Sequence, residues 1–302
     1  MSWDCPHQRG RDMMCALRKR VCEPLAKGCI LAGRFLTVSE KKEQTMNKQA
    51  ESKTTGPSAD AIRANGTVAD LVLAHPALRP LLDRLGIDYC CGGKKPFAQA
   101  VRAAGHDLQT VIDNCHRTLR ASAGAPAATD WARASVTELA GHILSTHHAF
   151  TRAQLTRIDG LLARVQRAHA TVHGDLLEQV RNIFDALRAE LESHLAKEEQ
   201  ILFPAIQAID GYLAGRNARP AIHCGRVAYP IRQMEAEHDS AGAALARLRA
   251  LTGGYQAPAD ACATFQALYE ALPALEADLH EHIHLENNIL FPRSVEQEER
   301  MT

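Results

Sequence analysis

One eleven-residue phrase occurs twice in this chain, as HLAKEEQILFP from His194 and as HIHLENNILFP from His282. Both copies read H-x3-E-x2-I-L-F-P. Residues four apart lie on the same face of a helix, so His194 is expected to point with Glu198, and His282 with Glu286. The duplication constrains the fold, because each copy requires the same helical surroundings.

The repeat extends upstream of both copies. His148 is followed by Leu at position +7 and Ile at +10, and His238 is followed by Leu at both positions. The spacing to the second histidine is also similar, since 46 residues separate His148 from His194 and 44 separate His238 from His282. The pattern predicts two copies of one helix pair, each carrying H…H-x3-E.

Composition and periodicity favour an all-α fold. Aromatic residues make up only 5% of the chain, whereas the good helix formers Ala, Leu and Arg abound. Long amphipathic segments predict an antiparallel four-helix bundle. These segments lie at about 135–166, 174–209, 230–252 and 259–290.

Shifts in composition divide the chain into five parts. The stretch ASAGAPAATD is small, polar and interrupted by proline, as is typical of a linker. The first 45 residues are basic, and their one apolar stretch is broken by Arg34. The predicted order is an unstructured leader with an alternative start at Met46 (1–65), a small helical domain (66–120), a linker (121–130), the bundle (131–293) and a tail (294–302).

Charge and hydropathy exclude two classes of partner. The chain carries 35 Lys and Arg against 35 Asp and Glu, so nothing indicates the basic face of a nucleic-acid-binding protein. No run of 18 apolar residues predicts a membrane span. The nine cysteines are odd in number and lack a disulfide spacing pattern, which favours a reducing cytoplasm.

The duplicated helices are expected to bring their polar groups together on the bundle axis. Such groups are costly to bury without partners, and metal ions would remove that cost. Two similar halves, each with two histidines and one glutamate, suit two metal ions with bridging carboxylates. Ligands without sulfur favour iron or manganese over structural zinc. The candidate ligands are His148, His194, Glu198, His238, His282 and Glu286.

Other readings of these motifs are weaker. A single HxxxE is usually an exposed helix face, but matched duplication argues against that reading here. A ferritin-like site needs two Glu-x-x-His motifs, and only Glu235-x-x-His238 fits. The phrase Ile-Leu-Phe-Pro by itself predicts a packed helix end with a proline stop.

The register of the repeat also separates the candidate ligands from the histidines that lie near them in sequence. His147 lies about 100° from His148 around a helix and is expected to contact a ligand or the solvent. His280 and His284 are expected to be exposed, and His142 falls on a different face.

Two acidic residues adjoin the candidate ligands. Glu190 precedes His194 by one helical turn, and Glu237 is adjacent to His238. Each is either a proton relay or hydrogen-bond partner of a ligand histidine, or part of a solvated helix face.

A second motif, GIDYCCGGK, holds the adjacent cysteines Cys90 and Cys91 before a helical segment. A thiol near a helix N-terminus has a lowered pKa and is reactive. The two glycines allow close approach of the backbone, and two cysteines cannot complete a closed zinc site. Cys115 and Cys262 are expected to be packed or inert, and His223 and Cys224 to lie in a solvated loop.

Four motifs carry a resemblance to a known family: DYCCGG, HLAKEEQILFP, MEAEHDSAG and HIHLENNILFP. Residues 66–293 resemble the iron–sulfur cluster repair di-iron proteins of the RIC (YtfE/ScdA) family. The resemblance implies a small helical domain followed by a hemerythrin-like four-helix bundle with two oxo-bridged non-haem iron ions. It implies the six ligands above, with both glutamates bridging, and places Glu190 and Glu237 around them. The leader and the loop at 211–230 have no match.

The resemblance also implies the function. A cytoplasmic protein of this family repairs iron–sulfur clusters damaged by nitrosative or oxidative stress, by donating iron or by reductive removal of nitric oxide. Its partners would be damaged iron–sulfur proteins, with nitric oxide or dioxygen as small ligands. Cys90 and Cys91 would receive iron, pass electrons or dock on a client. The alternative is a hemerythrin-like protein that binds or senses dioxygen or nitric oxide, and formation of a homodimer stays open.

Overall fold

The computed structural model describes residues 8–9, 14–15, 20–21, 62, 66–122, 129–222 and 225–301. Helices account for most of these residues, so the prediction of an all-α fold is confirmed. A small antiparallel sheet near the start was not expected, because the leader was predicted to be unstructured. Its strands are β1 (Gln8–Arg9), β2 (Met14–Cys15) and β3 (Arg20–Val21), in that order. Met46 lies outside the described residues.

The small domain is built from short helices with clear local signals. Thr67 and Asp70 form a capping box at the start of α1. Gly86 follows α2 with a φ of 63°, and the amide of Ile87 bonds back to Leu82, a glycine-dependent helix stop. The helices are α1 (Val68–Ala74), α2 (Arg79–Arg84), α3 (Phe97–Ala103) and α4 (Leu108–Ala121), with a 3₁₀ turn at Pro76–Leu78.

The bundle consists of four helical rods, three of which contain a wider π-helical turn. The first rod runs through α5 (Val136–His142), the π turn Ile143–His148 and the first half of α6 (Ala149–Lys197). The second rod consists of the second half of α6, the π turn Glu198–Leu202 and α7 (Phe203–Leu213). The third rod is α8 (Ala228–Leu251), and the fourth consists of α9 (Ala263–Leu285), the π turn Glu286–Leu290 and α10 (Phe291–Glu299).

The two halves of α6 form a helical hairpin. The chain leaves helical backbone angles at His169 and His173, where φ is −121° and −118°. Arg181, in the second half, donates to Asp159 in the first half at 2.6 Å. The amphipathic segments predicted at 135–166 and 174–209 are therefore antiparallel neighbours joined by a tight bend.

Two apolar clusters fill the bundle, one towards the bend in α6 and one towards the opposite end. The first includes Leu155, Leu191 and Leu279. The second includes Ile143, Leu202 and Ile289. Along the rods, the duplicated histidines and glutamates lie between members of the two clusters, so they form a polar layer inside an apolar core.

The prolines of the duplicated phrase do not end the helices. The segment predicted at 174–209 already extended past Pro204, whereas the segment predicted at 259–290 stopped before Pro292. The chain stays helical past Pro204 to Leu213 and past Pro292 to Glu299. A proline ring removes one backbone hydrogen bond and clashes with the carbonyl four residues earlier. In both copies the π turn immediately precedes the proline, and this wider turn accommodates it. The predicted tail at 294–302 is therefore helical as far as Glu299.

Most of the predicted linker lies outside the described residues, which resume at 129. Within the described part of the chain, no helix is both long and apolar enough to cross a bilayer.

Candidate metal centre

Four histidines and two glutamates meet in the polar layer of the bundle. Each of the six side chains is at most 3% exposed. They form two quartets, and in each quartet one nitrogen or oxygen atom per residue lies within 4.8 Å of the others. The quartets are His148, Glu198, His282 and Glu286, and His194, Glu198, His238 and Glu286.

The quartets combine the two halves of the repeat, and the sequence analysis left open which histidines share an ion. One quartet joins His148 to His282 and the other joins His194 to His238, so each takes a histidine from both halves. Both glutamates belong to both quartets, which is the arrangement that bridging carboxylates require.

The histidines direct their Nε2 atoms into the layer. His194 Nε2 and His238 Nε2 are 3.1 Å apart. The other short contacts join each Nε2 to a carboxylate: His148 to Glu198 at 3.4 Å, His194 to Glu198 at 3.3 Å, His238 to Glu286 at 3.1 Å and His282 to Glu286 at 3.0 Å.

The opposite ring nitrogens of three of these histidines are held by acceptors. An N–H at Nδ1 leaves the lone pair of Nε2 free for a metal, so these contacts fix the tautomer that binds metals. The pairs are His148 with Glu199 at 2.8 Å, His194 with Glu237 at 2.8 Å and His238 with Asn287 at 2.9 Å.

Sequence reasoning missed two of these three acceptors. Glu199 directly follows Glu198, and Asn287 directly follows Glu286. Each binds the first histidine of its own repeat copy. The usable signal was an oxygen-bearing side chain at the same position of both copies.

The fourth histidine, His282, is held differently. Its Nδ1 is buried without a hydrogen-bond partner. The ring of His147 stacks on it, with centroids 5.7 Å apart and planes 12° apart, and His147 Nδ1 donates to Asp278 at 3.0 Å. His147 immediately precedes His148 as Glu237 precedes His238, so an imidazole stands here where the other repeat copy has a carboxylate.

The π turns coincide with the site. His148, Glu198 and Glu286 all lie within them. Such turns shift a side chain relative to a regular helix and are frequent at functional sites. No periodic signal in the sequence predicts this displacement.

The buried carboxylates make the site strongly attractive to positive charge. Burial alone would raise the pKa of Glu286, but the charge of His282 and the close contacts of His282 and His238 with this carboxylate outweigh burial and lower that pKa well below its usual range. Burial alone would lower the pKa of His194, yet Glu198 and Glu237 raise it to about 10.

Several lone pairs in the layer have no hydrogen-bond donor. Both carboxylate oxygens of Glu198, one of Glu286 and the Nε2 of His148 are buried and unpaired. A buried polar atom without a partner is costly. Imidazole and carboxylate ligands without sulfur fit iron or manganese, so the side chains of this layer fit two such ions.

Glu190 and Glu237 flank a narrow cavity of about 10 Å³ beside His194, His238 and His282. That volume is roughly the space of one water molecule. Glu237 bonds His194 and also Lys197. Burial alone would raise the pKa of Glu237, but these hydrogen bonds lower it to about 2. Glu190 is exposed and accepts a hydrogen bond from Ser240 at 3.0 Å.

The expectation that His280 and His284 are exposed is wrong. His284 is 2% exposed, and its Nδ1 donates to the carbonyl of Tyr89 at 3.2 Å. Burial lowers the pKa of His284 to about 4. His280 is half-buried against Asp83, at 2.8 Å. The small domain covers this face of α9, which helical periodicity within the bundle cannot reveal.

The segment GIDYCCGGK (86–94), here called the dicysteine loop, lies on the same side of the bundle, against α9 and the π turn that follows it. The side-chain amide of Asn288 donates to the carbonyls of Tyr89 and Cys90 at 3.3 and 3.2 Å. A Cβ on Gly93 would lie 2.6 Å from the Tyr89 carbonyl, so glycine is required there. Cys90 and Cys91 line a cleft of about 270 Å³ with Asp239, Arg249 and His280 among others.

The pKa of Cys90 is raised, contrary to the expectation of a reactive thiol. A hydrogen bond with Cys91, burial, and the nearby charge of Asp88 all favour the protonated form. The Cys90 thiol donates to Asp88 at 3.3 Å. Cys91 is the more accessible of the pair.

Two further cysteines, Cys115 and Cys262, differ from each other in burial and pKa. Cys115 is fully buried, as expected, and burial raises its pKa to about 11. Cys262 was expected to be packed or inert, but it is exposed. Its hydrogen bond with His169 lowers its pKa to about 7. His223 and Cys224 lie outside the described residues.

Comparisons with known proteins agree with this geometry. Residues 139–294 match the family model of the hemerythrin HHE cation binding domain, and residues 64–117 match that of a domain of unknown function, DUF542. The chain is 36% identical to the iron–sulfur cluster repair protein YtfE of Pectobacterium atrosepticum over 77% of its own length and 97% of that protein. It is likewise 36% identical to YtfE of Salmonella paratyphi B, over 76% and 96% of the two lengths.

Proposed function

The chain belongs to the YtfE family of iron–sulfur cluster repair proteins with a hemerythrin domain, and we propose that it restores iron–sulfur clusters damaged by nitrosative or oxidative stress. The observation that carries this proposal is the pair of quartets sharing Glu198 and Glu286. A layer of six buried ligands with two shared carboxylates suits a pair of iron ions. The free thiols of the described residues suit a reducing compartment, so we place the protein in the cytoplasm.

His148 and His282 would hold one iron, and His194 and His238 the other, with Glu198 and Glu286 bridging. Bound iron supplies Lewis acidity and one-electron redox chemistry. Two histidines and two shared carboxylates per ion leave room for a further small ligand such as nitric oxide or dioxygen. The apolar clusters on either side of the layer exclude bulk water from it.

The chain itself controls the orientation and charge of the ligands. Glu199, Glu237 and Asn287 hold the Nδ1 protons of three histidines and thereby keep each Nε2 directed inwards. Glu237 adjoins the narrow cavity that leads towards the layer. We assign it the role of holding the proton of His194 Nδ1, with Lys197 balancing its charge.

Two routes to repair are compatible with this site. In the first, the protein donates iron to the damaged cluster. In the second, it removes nitric oxide by reduction, which would make it an enzyme. Cys91 and Cys90 line a cleft against α8 and α9 and are candidates for iron transfer, electron transfer or client docking.

The test is repair of a damaged iron–sulfur enzyme in vitro. Iron-loaded protein is expected to restore activity, and iron-free protein is not. Labelling the protein with ⁵⁷Fe separates the routes, since donation moves the label into the client cluster and nitric oxide removal does not. Equal results with loaded and iron-free protein, or reversible nitric oxide binding without any repair, would contradict the proposal.

A further inference from the structure

A second group of metal-binding side chains lies at the far end of the bundle. It comprises His169 and His173, at the bend of α6, and Asp260 and Cys262, just before α9. The bend is 21 residues beyond His148, or roughly 30 Å along α6 at about 1.5 Å per residue. This group is therefore separate from the polar layer.

The four side chains form two pairs that are already in contact. His169 Nε2 is 3.2 Å from Cys262 Sγ, and His173 Nε2 is 3.0 Å from both carboxylate oxygens of Asp260. Ligand atoms of His169, His173 and Asp260 all lie within 4.8 Å of one another. Ligands of tetrahedral zinc bind at about 2.0 to 2.3 Å, which places them about 3.3 to 3.7 Å apart. The two histidines and Asp260 are thus close to that spacing, whereas Cys262 Sγ contacts His169 but lies outside the group and has to approach the other two ligands for all four to bind one ion.

The backbone and a buried ring orient the two imidazoles. Both histidines leave the helical region of backbone angles, and both contact the segment that precedes α9. Phe265 is fully buried beneath them, with its ring centroid 5.1 Å from that of His169 and 5.5 Å from that of His173. The rings therefore have a rigid floor, which reduces the entropy lost on binding an ion.

We propose that His169, His173, Asp260 and Cys262 bind one zinc ion that joins the bend of α6 to the segment before α9. Two imidazoles, a carboxylate and a thiolate are a ligand set that favours zinc, whereas the sulfur-free layer of the bundle favours iron. Four protein ligands form a closed site, so the ion has a structural role. The plain alternative is two independent side-chain pairs, His173 with Asp260 and His169 with Cys262.

Cobalt(II) distinguishes the two readings, because a thiolate ligand to cobalt gives a near-ultraviolet charge-transfer band. Cobalt is added to iron-loaded, full-length protein in one equivalent. The polar layer contains no sulfur, so it cannot give a cobalt–thiolate band, and its own near-ultraviolet absorbance is removed by subtracting the spectrum recorded before cobalt is added. We expect the band in the unchanged protein and in Cys91→Ser, a matched change at another accessible thiol. We expect its loss in Cys262→Ser.

Melting temperature provides a second readout that does not depend on sulfur. Zinc at about 100 times its dissociation constant should raise the melting temperature by on the order of 5 °C. The rise should be absent in His173→Ala and in Asp260→Asn, with iron content unchanged in both. A band that survives Cys262→Ser, or a zinc-induced rise that survives His173→Ala, would overturn the proposal. So would the absence of both signals from the unchanged protein.

Discussion

His194 and His238 direct their Nε2 atoms at each other across 3.1 Å in the buried centre of the bundle. One histidine comes from each copy of the sequence repeat. The Nδ1 atoms of both rings donate to oxygen acceptors, so both Nε2 lone pairs point inwards, where one metal ion can accept both of them. The polar layer is therefore suited to binding positive charge.

The shared glutamates should control both irons at once. We expect about two irons per chain in purified protein, with the near-ultraviolet band of an oxo-bridged pair. Glu198→Ala and Glu286→Ala should each lose most of both irons, whereas His148→Ala should chiefly lose one. Elemental analysis of purified variants provides the measurement. Glu178→Ala, an exposed change on α6, is the control and should keep both irons.

Substitutions of the adjacent histidines His147 and His148 should have different effects on iron content. Only His148 directs a nitrogen at a carboxylate of the layer, so His148→Ala should lose iron. His147→Ala should retain it, because His147 stacks on His282 and bonds Asp278. His284→Ala should also retain iron. Iron loss from His147→Ala with none from His148→Ala would show that the register of the repeat was misread.

Substitutions of the two acidic residues beside the narrow cavity, Glu237 and Glu190, should have different effects on iron affinity. Glu237→Gln weakens the contact that holds His194 Nδ1, and we expect iron affinity to fall by about 10- to 100-fold. Glu190→Gln alters only a contact with Ser240 and should leave affinity unchanged. Competition with a coloured iron chelator measures both. Equal effects of the two substitutions would contradict the assignment of Glu237.

Adjacent asparagines provide a matched pair of tests for the dicysteine loop. Asn287 holds His238, so Asn287→Ala should weaken iron binding. Asn288 holds the backbone of Tyr89 and Cys90, so Asn288→Ala should keep iron but expose the loop. Hydrogen exchange and alkylation of Cys90 should then be faster in Asn288→Ala alone. Unchanged rates in that variant would mean that other contacts fix the loop.

In chelator-treated protein, the pH at which each thiol is alkylated should follow the pKa that its surroundings impose. The pKa of Cys262 is lowered to about 7 by its hydrogen bond with His169, so its thiolate should form as the pH rises through 7. Burial raises the pKa of Cys115 to about 11, so that thiol should stay unmodified at neutral pH. Mass spectrometry of iodoacetamide-treated protein gives both profiles. A midpoint for Cys262 near the ordinary thiol value of about 8.5 would refute the pairing with His169.

Much of the fold could be read from the sequence. Helical periodicity predicted the long rods, and matched repeats identified the six residues that the structure gathers in one layer. Both signals are local, because residues one turn apart share a face whatever the helix packs against. The continuation of the last helix past Pro292 was not predicted, since the π turn that accommodates this proline has no sequence period of its own.

The exposure of individual side chains was less predictable. His284 lies on a face of α9 that the bundle leaves open and the small domain covers. Cys262 and His169 are 93 residues apart in sequence yet are in contact. A helical pattern reports only which residues share a face of one rod, so it contains no information about a second domain or a distant bend.

The sequence by itself determined which side chains enter the polar layer, because the repeat and the period of the helix fix the face on which each one lies. Only the tertiary structure decided which of them meet. His148 faces His282 and His194 faces His238, across the two copies of the repeat, because the packing of antiparallel rods sets the depth and neighbours of each residue. That packing depends on contacts between distant segments, which no local periodicity records.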